Sequence, residues 1–394
     1  MSKATTDSIP RTVPFIDLQA QRRRLGSSIE VGIKRVLESG RYILGPEVKR
    51  LEDRLNAFCG AKHSITCASG TDALVLVLRA KGVGAGDAVI VPSFTFAATA
   101  EAVCVVGATP VFVDVLPDTF NMDPEDLERG IETARNAGLT ARAVISVDLF
   151  GQPADYEALE PIVAAHGLWL ICDAAQSFGA VYKTRRVGTI GLATTTSFFP
   201  AKPLGCYGDG GAIFTEDDGL ASTIRSLRVH GQGKDKYDNI AIGLNSRLDT
   251  MQAAILLAKL EIFELEITAR QTVAQKYAAG LGPLGPHVVA PDVAPGLTSV
   301  WAQYTVKLSN TDRSRLAADL KSRGIPTAVY YGKPLHQQTA YCAYPKTRSE
   351  LAVSEDLAAR VLSLPMHPYL ETDLQAWIIE QFEAALASES ALAG

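Results

Sequence analysis

What most limits the fold of this chain is a series of short apolar, β-branched segments that alternate with helical patterns. The segments are Ser64–Cys67, Ala88–Val91, Thr109–Val113, Ala143–Val147 and Leu168–Cys172. Between them apolar residues recur at helical spacing over Asp72–Ala80, Ala97–Val106, Asp123–Ala134 and Tyr156–Ala165. Continuously apolar strands must be covered on both faces. This order therefore predicts an α/β protein on a largely parallel sheet, with ligands held at the carboxyl edge of the strands.

On either side the pattern changes. Helical spacing runs from Ile29 to Leu55, broken by the Gly- and Pro-containing loop Ser39–Glu47. Arg247 to Thr272 reads as one long helix, so apolar around its circumference that it must be buried in the core or against a partner subunit. Beyond it, Gly280–Gly296 is rich in Gly and Pro and leads into a strand at Trp301–Leu308, helices at Asp312–Ser322 and Leu351–Leu362, and a last helix from Asp373. A boundary near residues 260–280 follows. It gives a large domain, 1–265, with an N-terminal arm, and a smaller C-terminal α/β domain, 266–394, a division that suits a chain of 394 residues. Residues 1–12 read as a loose polar lead-in.

A net charge of −5 leaves no electrostatic footprint for nucleic acid or anionic lipid, so a polyanionic ligand must meet a local cluster of donors. No apolar stretch is long enough to span a membrane, and the first residues lack a signal-peptide core. Cys59, Cys67, Cys104, Cys172, Cys206 and Cys342 form no CxxC pair and no metal-ligand spacing. They read as reduced thiols of a cytoplasmic protein without a metal.

Four segments carry chemistry. In ICDAAQSFGA (Ile171–Ala180) an apolar strand ends in Asp173, which leaves a carboxylate at the ligand edge of the sheet; a helix N-cap is the plainer role for it. In TSFFPAKPLGCYGDGGAIFT (Thr196–Thr215), Lys202 stands between Pro200 and Pro203 in a stiff apolar loop. Desolvation there favours the neutral amine, the form that attacks an aldehyde. In SITCASGTDALVLVL (Ser64–Leu78) a strand passes through Ser69-Gly70-Thr71 directly into a helix, and helix-start amides beside hydroxyls make a phosphate cradle. In VPSFTFAATAEAV (Val91–Val103), Phe94 or Phe96 is placed to stack on a planar ligand, if not simply core.

Taken with RVHG and NSRLDTMQAAIL, these segments resemble the sugar aminotransferases of the DegT/DnrJ/EryC1/StrS family, which are pyridoxal-phosphate enzymes of fold type I. The likeness runs in order from Phe15 to the C-terminus. It implies that Lys202 binds the cofactor covalently and moves protons, and that Asp173 pairs with the pyridinium nitrogen. On the same resemblance Gln176 contacts the phenolic oxygen, Gly70, Thr71 and Ser197 hold the phosphate, and Phe96 stacks on the ring. Asn245 is similar to a family asparagine that reaches the neighbouring subunit's cofactor phosphate, which implies a homodimer with shared sites. The lysine loop and LPMHPYL (Leu364–Leu370) are especially similar to enzymes that aminate C3 of a UDP-linked 2-acetamido sugar, with L-glutamate as donor and cell-surface polysaccharide or lipopolysaccharide as destination. Arg228, His230, Tyr330, Tyr331 and His336 are then candidate contacts to the nucleotide sugar. Tyr330 and Tyr331 stand where uronate-type enzymes of the family carry His-Tyr, so the oxidation state at C6 stays open.

Competing readings are a 4-keto or dTDP-linked 3-keto sugar aminotransferase, a sugar dehydratase, and a non-catalytic regulator on the same fold. Dehydratases of the family replace the lysine by histidine, and a sensor need not keep proton-transfer groups. A dinucleotide-dependent oxidoreductase lacks its fingerprint, since no GxGxxG opens a helix after a strand.

Overall fold

The computed structural model describes residues 13–235 and 237–393; the lead-in expected at 1–12 lies outside the described residues. The chain starts with helices α1 (Leu18–Leu25), α2 (Ser28–Ser39) and α3 (Pro46–Cys59), then alternates through β1 (His63–Cys67), α4 (Gly70–Ala80), β2 (Asp87–Pro92), α5 (Ala98–Val105), β3 (Thr109–Val113), α6 (Pro124–Asn136), β4 (Thr140–Val147), α7 (Tyr156–Ala165) and β5 (Trp169–Asp173). Two short strands, β6 (Val181–Tyr182) and β7 (Arg185–Arg186), precede β8 (Ala193–Ser197), β9 (Gly211–Thr215) and α8 (Asp218–Leu227). The helices start where the sequence offers side-chain caps: Ser69, Asp123, Asp155 and Asp217 each accept a first-turn N–H of α4, α6, α7 and α8.

The central sheet has the order β1-β9-β8-β5-β4-β2-β3. β8, β5, β4, β2 and β3 are parallel neighbours, and β9 runs antiparallel to both β8 and β1. Leu74, Val103, Ile224 and Leu227 from α4, α5 and α8 fill a core on one face. Leu127, Ile131, Leu159 and Val163 from α6 and α7 fill the other. The expectation of an α/β protein with a mostly parallel sheet holds, and each of the five apolar runs is a strand.

The expected single helix at 247–272 is two helices, α9 (Thr250–Leu260) and α10 (Phe263–Leu281), broken at Glu261–Ile262. Both sides of the break are anchored inward, with Lys259 and Phe263 fully buried, and the apolar pattern conceals the change of direction. α9 packs on α2 and α3. α10 passes from one core to another: Phe263 lies with Phe178, Phe198 and Phe214, whereas Val273, Tyr277 and Leu281 lie with the C-terminal elements.

Those elements are β10 (Val288–Val289), β11 (Leu297–Thr298), β12 (Tyr304–Leu308), α11 (Arg313–Ser322), α12 (Ala352–Arg360), β13 (Val361–Leu364) and α13 (Thr372–Ala393). The order β10-β12-β13 makes a small sheet, so the helix expected to reach Leu362 gives way at Val361 to a strand. β12 starts at Tyr304 rather than Trp301, because Trp301 adopts φ of 50°. Of the N-terminal arm, Val13 packs into this C-terminal core, and the Phe15 carbonyl accepts the Met366 N–H. Among the described residues, no helix is long and apolar enough to cross a membrane, and no group of His, Cys, Asp or Glu has metal-binding geometry. The six cysteines are free thiols.

Candidate active site

The carboxyl ends of β1, β5 and β8 converge on one cleft of ≈ 440 Å³. Asp173, Gln176, Ser197 and Lys202 line it together with Gly70, Thr71 and Phe96, and Tyr330 and Tyr331 of the C-terminal region form another wall.

Asp173 is the last residue of β5 and is buried. One carboxylate oxygen accepts the Ala175 N–H at 3.1 Å and the other the Thr99 hydroxyl at 3.3 Å. Burial pushes its carboxyl up, opposed by the Ala175 N–H, the nearby Lys202 charge and Thr99. Lys202 shows the converse: burial pushes its ammonium down, and the Asp173 carboxylate opposes this. Each charge thus opposes the effect of burial on the other.

Lys202 is carried by the loop after β8. Its N–H donates to the Phe199 carbonyl at 2.9 Å, and the Cys206 N–H donates to the Phe198 carbonyl at 2.7 Å. Lys259 of α9 reaches the loop from below, where Nζ donates to the Gly205 carbonyl at 2.6 Å and lies 4.4 Å from the centre of the Tyr207 ring. Gly205 has no room for a side chain, since a Cβ there would sit 2.5 Å from the Phe199 carbonyl oxygen.

Gln176 is oriented by what it faces. The Phe150 N–H can only donate, and it meets Gln176 Oε1 at 2.7 Å, so the amide nitrogen must be the other terminal atom. Gln176 Nε2 then donates to the Tyr331 hydroxyl at 3.1 Å, on the cleft side. At the start of α4, the Ser69 side chain takes the Asp72 N–H at 3.0 Å, while Gly70 and Thr71 bring first-turn N–H groups that have no carbonyl behind them. Gly70 packs against Ser197 so closely that a Cβ would meet Ser197 Cβ at 2.7 Å and Oγ at 3.2 Å. Helix start and serine hydroxyl therefore form one donor cluster. Phe96 is 55% exposed, 6.2 Å from Tyr331 between ring centres, whereas Phe94 is core.

These residues fit pyridoxal phosphate. Hydroxyl and N–H donors at a helix start suit a phosphate, a buried carboxylate suits a ring N–H, an oriented amide N–H₂ suits a phenolic oxygen, and a desolvated lysine suits an aldehyde.

Other expected contacts lie elsewhere. Arg228 is held beneath β1, donating to Glu52 Oε1 and the Thr66 carbonyl, each at 2.7 Å. His336 is buried between Ser93 Oγ at 2.6 Å and Glu355 Oε1 at 2.9 Å. His230 is exposed, its backbone paired to Leu244 and Asn239. None of the three lines the cleft, and neither does Asn245 of the same chain, which is exposed and bridged to Val229. Thr99, Asp209 and Gln303 do line it and escape a reading by motif. Thr99 lies in the first turn of α5 and Gln303 just before β12, and no motif marks either.

The model of the DegT/DnrJ/EryC1/StrS aminotransferase family matches residues 24–383. The chain is 52% identical to the UDP-2-acetamido-2-deoxy-3-oxo-D-glucuronate aminotransferase of Pseudomonas aeruginosa, over 91% of this chain and 96% of that one. It is 44% identical to a protein of Geobacillus stearothermophilus named a pleiotropic regulatory protein, over 94% and 97%. Among solved structures, a DegT DnrJ EryC1 StrS aminotransferase from Brucella abortus superposes with a TM-score of 0.92 at 50% identity, covering 95% of this chain and 99% of that one.

Proposed function

We propose that this chain, which belongs to the DegT/DnrJ/EryC1/StrS aminotransferase family, moves an amino group from L-glutamate to the 3-keto group of a UDP-linked 2-acetamido sugar. It is an aminotransferase, and its cofactor is pyridoxal phosphate. The sugar is of the 3-keto-glucuronate or 3-keto-glucosamine type, and the substrate in the Pseudomonas relative's name supports the first of these. The observation that carries the proposal is the meeting of Lys202, Asp173, Gln176 and the α4 start in one cleft.

Pyridoxal phosphate, when bound, supplies an aldehyde that takes up amino groups and a ring that accepts the electrons of a broken C–H bond. The α4 start and Ser197 would anchor its phosphate, and Asp173 would keep a proton on the ring nitrogen. The Gln176 amide would hold the phenolic oxygen, and Phe96 would cover one ring face. Lys202 Nζ, disfavoured as an ammonium by burial, would take the proton from the donor's α-carbon in the first half of the cycle and give one to the sugar carbon that receives the amine in the second. Tyr330, Tyr331 and Gln303 would line the sugar's place. Residues 1–265 would hold the cofactor, and 266–394 would supply the facing wall.

A homodimer is part of this reading. Tyr237, Ile240 and Ile242 are 86%, 69% and 89% exposed close in sequence to Asn245, and an apolar surface of that kind supports burial by a second copy. The setting would be the cytoplasm, and the product a precursor of cell-surface polysaccharide. The regulator named among the relatives is a weaker guide, because the proton-transfer groups are intact here.

The test is to supply glutamate with UDP-linked 2-acetamido-3-keto sugars carrying either a carboxylate or a hydroxymethyl group at C6. The expected product carries its new amine at C3 by NMR, with 2-oxoglutarate released in equal amount. An amine at C4, or turnover with dTDP sugars alone, would overturn the substrate assignment.

A further inference from the structure

One buried carboxylate has a place in the fold but no role in the cleft chemistry above. Asp148 follows β4 and is fully buried. Its N–H donates to the Asp173 carbonyl at 3.1 Å. Its carboxylate accepts four donors. Oδ1 takes the Ala154 N–H at 2.9 Å and the Tyr156 hydroxyl, and Oδ2 takes the Ser177 hydroxyl at 2.8 Å and the Cys172 thiol at 3.6 Å.

The sequence positions of those donors matter. Cys172 immediately precedes Asp173, and Ser177 immediately follows Gln176, so the carboxylate grips both ends of the turn that bears the two cofactor residues. Two residues beyond Asp148, the Phe150 N–H holds Gln176 Oε1 at 2.7 Å. Phe150 reaches that bond with φ of 59°, a left-handed conformation that is strained for a residue with a side chain. The 148–150 segment thus fixes the turn at four points, Cys172, Asp173, Gln176 and Ser177. Burial pushes the Asp148 carboxyl up to about 6 against the pull of the Tyr156, Ala154, Ser177 and Cys172 donors, so at neutral pH it remains mostly an anion with acceptors for all four.

We infer that Asp148 is a positioning residue: it clamps the 172–177 turn so that the Asp173 carboxylate and the Gln176 amide present the ring-nitrogen and phenolic-oxygen contacts together. This rests on the assignment of Asp173 and Gln176 to pyridoxal phosphate.

The clamp depends on shape and hydrogen bonding more than on charge. In Asp148→Asn the carbonyl oxygen can still accept from Ala154 and Tyr156, while the new N–H₂ donates to a rotated Ser177 hydroxyl. Asp148→Ala loses every side-chain contact. The experiment measures pyridoxal-phosphate affinity by quenching of intrinsic fluorescence, the visible band of the bound cofactor across pH, and thermal unfolding of the cofactor-free proteins. Asp148→Ala is expected to weaken cofactor binding on the order of tenfold, the scale of outer partners of a bound group, and to displace the pH titration of the band. Asp148→Asn is expected to restore both. Unchanged affinity and titration in Asp148→Ala, with only a lowered unfolding temperature, would reduce Asp148 to a structural group and overturn the inference. So would an Asn variant as impaired as the Ala variant. If Asp148→Ala does not fold, Ser177→Ala removes one leg of the clamp and must weaken binding in the same direction; no change there is equally contrary. Wild-type protein that forms no band defeats the reading of the whole site, and this inference with it.

Discussion

Replacing Gly70 by alanine adds one methyl group at the point where α4 meets Ser197. The backbone of Gly70 is in ordinary helical territory, so alanine meets no conformational objection and gains up to about 1 kcal/mol in helix propensity. Space is the obstacle: the new Cβ would lie 2.7 Å from Ser197 Cβ, 3.2 Å from Oγ and 3.3 Å from Cα. Ser197 Cα is backbone at the end of a buried strand, so helix start and serine must separate. Overpacking of this kind costs about 1–3 kcal/mol, and the offset by propensity leaves apo stability lowered by about 0–3 kcal/mol. The donor cluster suffers more, because its N–H and O–H groups are displaced from one another. A loss of about 1.4 kcal/mol of phosphate binding corresponds to tenfold weaker cofactor affinity. The assay is pyridoxal-phosphate titration followed by fluorescence, with Gly282→Ala as control. Gly282 has nothing within 4 Å of its would-be Cβ, but Pro283 follows it and disfavours the helical φ of −52° for a residue with a side chain, so alanine there should gain no stability and leave affinity alone. A folded Gly70→Ala protein with undiminished cofactor affinity would refute the claim that Gly70 and Ser197 form one phosphate site.

Arg228→Met leaves Glu52 buried with Arg225 as its remaining ion-pair partner, and chemical denaturation should show a loss of about 3–5 kcal/mol. Sugar KM should stay unchanged, because Arg228 lies outside the cleft; a raised KM in a protein of normal stability would contradict this placement. Burial alone would raise the Glu52 carboxyl, but Arg228, the Thr66 N–H and Arg225 hold it below its ordinary value. Its contribution is therefore complete above the unfolded carboxylate range and lost as pH falls through the depressed folded value, and acid titration of Arg228→Met should show a smaller step. Lys259, pushed by burial from 10.5 to about 8, behaves in the opposite half of the scale. Between those values the unfolded chain binds the extra proton, so wild type should gain on Lys259→Met by up to about 3 kcal/mol as pH rises, as read from paired urea melts at several pH values. A difference that shrinks with rising pH would show that Lys259 is not a desolvated ammonium.

The parallel strands were legible because continuous apolar runs such as Ala143–Val147 have no other stable place. β8 was not, since ATTTS reads as polar. In the fold Thr194, Thr195 and Thr196 turn their hydroxyls onto the carbonyls of Ile190, Cys172 and Ala174, which lets a threonine strand be buried. The break at Glu261–Ile262 was hidden because helical periodicity records which face is apolar and says nothing of a change in axis. In the site, Asp173, Lys202 and the α4 start were legible from local surroundings: a strand end, a stiff loop, a strand running into a helix. Arg228 and His336 looked equally functional, but each is hydrogen-bonded to a carboxylate, Glu52 or Glu355, that motif reading cannot pair with it. Asp148 lay in plain view within VDLFGQPAD and carried no signal, because its meaning depends on Cys172 of β5 and Ser177 of the turn that follows arriving beside it.

Lys202 as the residue that holds pyridoxal phosphate, in an enzyme that takes its amino group from glutamate, is tested most directly by absorption spectroscopy. Purified wild type and Lys202→Ala are each mixed with the cofactor, and the visible spectrum is recorded before and after L-glutamate. The account predicts a visible band in wild type that bleaches with glutamate, returns on addition of the keto sugar, and never forms in Lys202→Ala. A wild type without the band, or a Lys202→Ala protein that forms and bleaches it in the same way, would contradict it.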